Sequence, residues 1–278
     1  MSTRQTAAEL PDIHDPSVGV EQLVADLDAA IEHGIRNQPR SLQRRIGPSE
    51  MGVPCDLRIA YRLLGTPECN PVVRRLPWKP FVGTAMHEAI ATIVESANMA
   101  DPAYDQAGPR FLVEHRVPIA QVGGEDIDGS CDLYDRLTAT VLDWKIVGGA
   151  QLRRYKADGP GEQYRTQVHL YGYGWRRRGY PVRHVAVYFL PRDQEWRQRH
   201  IWSEPYDEQI ALDAITRVQG IAALTTALGA GALPLMRRRQ AWCQFCPWHK
   251  PGSADLSGGC PGDPDALEKA SAQFSDLI

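Results

Sequence analysis

Between Gly129 and Gly148 the chain reads GSCDLYDRLTATVLDWKIVG. Two runs rich in apolar and β-branched residues flank Asp135-Arg136, which restricts this stretch to neighbouring strands of one sheet. Charged side chains are seldom buried without a partner or a task. Yet Asp132, Asp143 and Lys145 all fall on the strand-like runs, and Lys145 is one of only five lysines. Alternation sets Asp143 and Lys145 on one strand face and Trp144 on the other; a hairpin would bring Asp132 beside Asp143. Adjacent carboxylates repel unless a cation lies between them, and hard oxygen ligands suit Mg²⁺ or Mn²⁺. A lysine next to such an ion can orient water for attack on a phosphodiester. A strand-edge ion pair between Asp143 and Lys145 fits the spacing equally well.

Periodicity organises the rest. Val20, Leu23, Val24, Leu27 and Ile31 predict a helix over 18–33. A second helix follows Pro48-Ser49-Glu50, with Cys55 near its start, and a third covers 80–94 with His87 near its middle. Strands are expected at 111–120, 126–136 and 138–148, then a helix over 162–178, strands at HVAVYFLP and RQRHIWSEPY, and a long helix over 207–228. This order implies an α/β fold, a mixed central sheet flanked by helices. Three segments are expected: an N-terminal helical extension (1–45), a core (46–240) and a cysteine-bearing segment with an acidic tail (241–278).

The net charge of −3 is uneven. Acids outnumber bases seven to three over 1–40 and five to one over 251–278, so 41–250 is net basic, with clusters at Arg44/Arg45, Arg153/Arg154/Lys156, Arg176–Arg178 and Arg237–Arg239. Arginine forks suit phosphate, and a polyanionic partner is compatible with this pattern. No apolar run looks long enough to span a bilayer, and MSTRQTAAELPD has no hydrophobic signal region, which points to a cytoplasmic protein with no membrane partner. No Gly-Lys pair occurs, so the chain has no P-loop motor.

GTAMHEA (His87), GSCDLYD (Asp132), VLDWK (Asp143, Lys145) and QVHLY (Gln167, Tyr171), in this order, resemble the RecB-type branch of the PD-(D/E)XK nucleases, over about 85–175. The resemblance implies a restriction-endonuclease-like core in which His87, Asp132, Asp143 and the Trp144 carbonyl bind Mg²⁺ or Mn²⁺. Lys145 would position the nucleophilic water, and Gln167 and Tyr171, one helical turn apart, would meet DNA or brace the site. Glu114, in the preceding strand, would orient a ligand from behind; a surface carboxylate fits that position as well. Cys131 stands where many relatives carry proline or an aliphatic residue, and its side chain is expected to face away from Asp132.

Six cysteines without an export signal favour a metal site over disulfides. Cys243-x-x-Cys246 and Cys260 make a shared metal easy to reach. The setting of Cys55 resembles the upstream cysteine of iron-sulfur RecB-type nucleases, including AddB-like and CRISPR-associated proteins, in which one cysteine precedes the core and three follow it. That likeness implies a 4Fe-4S cluster on Cys55, Cys243, Cys246 and Cys260; four cysteines equally suit zinc. His249 is a further donor in the same loop, and Cys69 reads as an ordinary thiol. The expected function is a metal-dependent DNA exonuclease acting on single strands or duplex ends, in recombination, repair or replication, with any helicase or recombination activity supplied by a partner. The alternative is a non-catalytic DNA-binding or adaptation factor with a structural iron-sulfur or zinc site.

Overall fold

The computed structural model describes residues 15, 17, 19–37, 46–240 and 242–265, without the side chains of 73 and 74. Arg44, Arg45 and the tail beyond 265 lie outside the described residues. Two compact units, Met1–Gln43 and Arg44–Ile278, divide the chain. In the first, helix α1 (Val20–Arg36) runs three residues beyond the expected end, and its apolar stripe Val20, Leu23, Val24, Leu27 and Ile31 is exposed.

The second unit contains the helices α2 (Pro48–Met51), α3 (Asp56–Leu63), α4 (Trp78–Met99), α5 (Tyr104–Ala107), α6 (Gly149–Asp158), α7 (Gly161–Arg177) and α8 (Glu208–Leu228). Its strands are β1 (Phe111–Val122), β2 (Glu125–Asp135), β3 (Thr140–Val147), β4 (His184–Pro191) and β5 (His200–Pro205). They form one sheet in chain order, antiparallel except for the parallel pair β3–β4, whose connection carries α6 and α7. A parallel pair needs such a crossover. The expected mixed sheet flanked by helices is therefore present.

One sheet face packs Val117, Cys131, Val141, Val187 and Phe189 against α3, α6, α7 and α8 through Leu57, Leu152, Val168 and Val218. The other packs Val113, Leu133, Trp144 and Leu190 under α4 through Ala91. Trp144 and Trp175 are almost wholly buried, each removing on the order of 200 Å² from water. Gly174 permits the close approach of α7: a Cβ there would lie 2.6 Å from Val117.

Alternation changes phase at one point on β1 and β2. Val117 and Cys131 face one core, Val113 and Leu133 the other, while Leu112 and Tyr134 return to the first. Register is kept, with Val113 opposite Leu133 and His115 opposite Cys131. The residues between are Glu114 and Asp132, and Glu114 adopts φ +52, a left-handed backbone that costs a non-glycine residue about 1–2 kcal/mol. The pairing of β2 with β3 runs only from Asp135–Thr140 to Leu133–Leu142. The strands thus separate where Asp132 and Asp143 begin.

The buried Asn98 near the end of α4 donates through Nδ2 to the Phe111 carbonyl at 2.7 Å and accepts from the Phe111 N–H at 3.0 Å. Asn98→Ala leaves both Phe111 groups without this partner. We expect a loss of about 2–3 kcal/mol, read as a lower urea midpoint at unchanged slope.

By length and composition Glu208–Leu235 is apolar enough to cross a membrane, which corrects the expectation that no such run exists. Its Ala211, Ala214, Ile215, Val218, Ile221 and Ala222 are buried within this unit.

Candidate functional site

Polar side chains collect where β2 and β3 part. Asp132 Oδ2 accepts the Trp144 backbone N–H at 2.9 Å. From α4, His87 Nδ1 approaches the same oxygen at 3.5 Å. Asp143, only 1% exposed, accepts through Oδ1 from Gln167 Nε2 at 3.0 Å, and Gln167 Nε2 also reaches the Tyr171 hydroxyl at 3.2 Å. Tyr171 packs closely on β2 because position 129 is glycine: a Cβ there would fall 2.6 Å from its ring. Lys145 Nζ lies 2.6 Å from Asp143 Oδ2 and 4.9 Å from the Tyr164 ring centre.

The structure therefore brings together His87, Asp132, Asp143, Lys145, Gln167 and Tyr171. The Asp143–Lys145 ion pair that the spacing allowed is present too. The ammonium is the close partner of Asp143 Oδ2, and Asp132 lies near enough to act on the same carboxylate. Two buried carboxylates drawn together in this way fit a divalent cation. Glu114 joins the same group: His87, Glu114 and Asp132 each offer a ligand atom, all within 4.8 Å of one another.

Burial pushes the Asp143 carboxyl up to about 6, with Lys145 and His87 pulling it down and Asp132 adding to the rise. Between about pH 4 and 6 the folded state therefore holds a proton that the unfolded chain releases. The stability from this group is full below the unfolded value near 3.8 and is lost as pH rises through about 6. Without divalent metal, Asp143→Asn should melt higher than wild type at pH 7.5 and lose that advantage at pH 4. Reading the difference between the two proteins cancels His169, whose depressed titration favours the fold at higher pH.

Cys55 caps the N-terminal end of α3, and the first N–H groups of that helix, from Asp56 and Leu57, donate to the Arg237 carbonyl at 3.0 and 3.3 Å. Asn70, also buried, donates to the Gln244 and Cys246 carbonyls at 3.0 and 2.8 Å. Trp248 stacks on Tyr61 at 5.5 Å and donates to the Thr66 carbonyl. These ties gather Cys55, Cys243, Cys246 and Cys260 around one pocket, together with Arg58, Tyr61, Arg239 and His249. Burial raises the Cys246 thiol, and the Cys260 thiol to about 11. Arg58 Nε is buried without an acceptor. Four thiols beside an unmatched cationic donor suit an anionic metal centre.

Cys69, expected to be an ordinary thiol, does not line this pocket, although its Sγ would lie 2.9 Å from a Cβ at Gly259, next to Cys260. Cys131 is fully buried and donates to the Leu133 carbonyl at 3.4 Å. The arginine triplet is elsewhere. Arg176 stands nine residues beyond Gln167 on α7, roughly 14 Å along the axis, and pairs with Glu208; Arg177 bonds the Ile119 carbonyl.

No family model matches the chain, and no curated protein matches it. Among solved structures it is similar to the SSO0001 protein, at 15% identity over 86% of this chain and 98% of that one, with a TM-score of 0.45. It is similar to an alkaline exonuclease (LHK-Exo) from Laribacter hongkongensis at 14% identity over 66% and 89% of the two chains, TM-score 0.42. A phage-related exonuclease from Haemophilus somnus 129PT shares 13% over 49% and 68%, TM-score 0.30. Likenesses this distant carry no weight in assigning chemistry, which rests on the side chains.

Proposed function

We propose that the chain is a metal-dependent DNA nuclease of the exonuclease kind, built on a PD-(D/E)XK core of RecB type, with an iron-sulfur cluster in the cysteine pocket. The observation that carries the nuclease reading is the meeting of Asp132, Asp143, Lys145 and His87 where β2 and β3 part. A divalent cation, Mg²⁺ or Mn²⁺, held by His87, Asp132, Asp143 and the Trp144 carbonyl would supply Lewis acidity at a phosphodiester. Lys145 keeps a positive charge beside the reacting phosphate and orients water. Gln167 fixes the Asp143 carboxylate from behind and is itself held by Tyr171.

Single-stranded DNA or a frayed end is favoured by an exposed pairing of ring and cation, Arg154 covering the partly exposed Trp242 at 4.5 Å. Such surfaces stack bases regardless of sequence. A separate helicase or recombination partner, and a cytoplasmic setting that keeps six cysteines reduced, complete this reading.

The preference for a cluster over zinc rests on the likeness of Cys55, Cys243, Cys246 and Cys260 to the iron-sulfur pattern, since four cysteines suit either metal. The deciding experiment uses end-labelled single- and double-stranded DNA with Mg²⁺, Mn²⁺ or EDTA. Metal-dependent release of short products from ends is expected. DNA binding without cleavage under every condition would leave the non-catalytic DNA-binding factor.

A further inference from the structure

We infer that Glu114 is a metal ligand, so that this site holds its cation through a His87–Glu114–Asp132 donor set as well as through Asp143. The inference rests on the nuclease reading for the identity of the site, but its own support is geometric. Ligands of one six-coordinate ion at about 2.1 Å stand roughly 3.0 Å apart when adjacent and 4.2 Å when opposite. The three donor atoms lie within 4.8 Å of one another, a spread that small side-chain rotations close.

Further observations point the same way. Glu114 and Asp132 occupy opposing positions at which both strands change face, and that change turns the two carboxylates toward His87. Ser130 Oγ donates to Glu114 Oε2 at 2.8 Å, fixing the carboxylate's orientation from the next strand. The buried Asp143 carboxylate interacts with Asp132 and His87 and belongs to the same charge system. The left-handed backbone at Glu114 is a conformation in which glycine would be unstrained, and the chain keeps a carboxylate there.

The donor set has a consequence for metal choice. Three anionic oxygens' worth of charge with one imidazole suits Mn²⁺ better than Mg²⁺, which prefers oxygen and sheds its waters reluctantly. Titration of the metal-free protein with Mn²⁺, followed by loss of the free-ion EPR signal and by calorimetry without DNA, tests the inference. Glu114→Gln and Glu114→Gly should each weaken Mn²⁺ at least tenfold, and Glu114→Gly should melt no lower than wild type because it relieves the backbone. Mn²⁺ affinity unchanged in both variants, or absent from the wild type, overturns the assignment. DNA cleavage measured in parallel judges the nuclease reading separately: a wild type that cleaves, beside variants of undiminished affinity, rejects Glu114 alone.

Discussion

Asp143→Asn and Lys145→Met should leave a folded protein whose cleavage of end-labelled DNA falls by at least about a hundredfold in Mg²⁺ or Mn²⁺. Asp143 is 1% exposed and bridges two tasks, accepting from Gln167 on one oxygen while the other meets the Lys145 ammonium at 2.6 Å. Asparagine keeps the Gln167 contact and the shape but removes the charge that a cation requires. Methionine keeps the stem over Tyr164 and removes the ammonium. Because the two side chains act on the same reacting phosphate, their losses should not add, and the double variant should be about as inactive as either single one. Circular dichroism and melting establish the fold in each case. Near-wild-type cleavage by a folded, contaminant-free preparation of either variant would reject the assignment.

The helices and strands around this site were legible because each carries a plain period. His87 lies inside an apolar helical pattern, and Asp143 and Lys145 inside an alternating strand, so their facing followed from geometry. Glu114 was ambiguous for the opposite reason: strict alternation holds along β1 and β2 only until both strands change face together, and no local pattern announces that shift. Helix α6 leaves no mark in the sequence because GAQLRRYKAD buries only Gly149, Leu152 and Tyr155, too few apolar positions for a periodic signal. Helix α4 outruns the expected 80–94 because Trp78 and Met99, at its ends, are exposed and add nothing to the stripe. The proximity of Cys69 to Cys260 was hidden in the backbone: Cys69 and Asn70 both donate to the Pro247 carbonyl, a tertiary tie without a sequence signature.

The second large effect is expected at the cysteine pocket, from Cys55→Ala. Protein purified without oxygen should be brown and carry about four irons, and this substitution should remove colour, iron and stability together. Its neighbourhood joins distant chain: Cys55 and Arg237, in contact through Sγ and a carbonyl, are 182 residues apart. A cluster closing a loop of that length restricts the unfolded chain by on the order of 5 kcal/mol, which for a protein of this size lowers the melting temperature by roughly 10 °C or more when lost. The pocket would not collapse entirely. Arg217 still holds Asp56 and the Met51 and Val53 carbonyls, and Asn70 still holds Cys246, so the variant should remain folded at low temperature and retain nuclease activity there. Cys131→Ala, which opens only a small cavity in the sheet core, and Cys69→Ala should keep full iron. A colourless wild type with one zinc per chain would reject the cluster and leave the cleavage site untouched, since His87, Asp132, Asp143 and Lys145 do not line the cysteine pocket. Full iron in Cys55→Ala would instead pass the fourth position to His249, which already lines the pocket, or to Cys69 beside it; Cys55→Ala/His249→Ala and Cys55→Ala/Cys69→Ala would then separate the two by which one turns colourless.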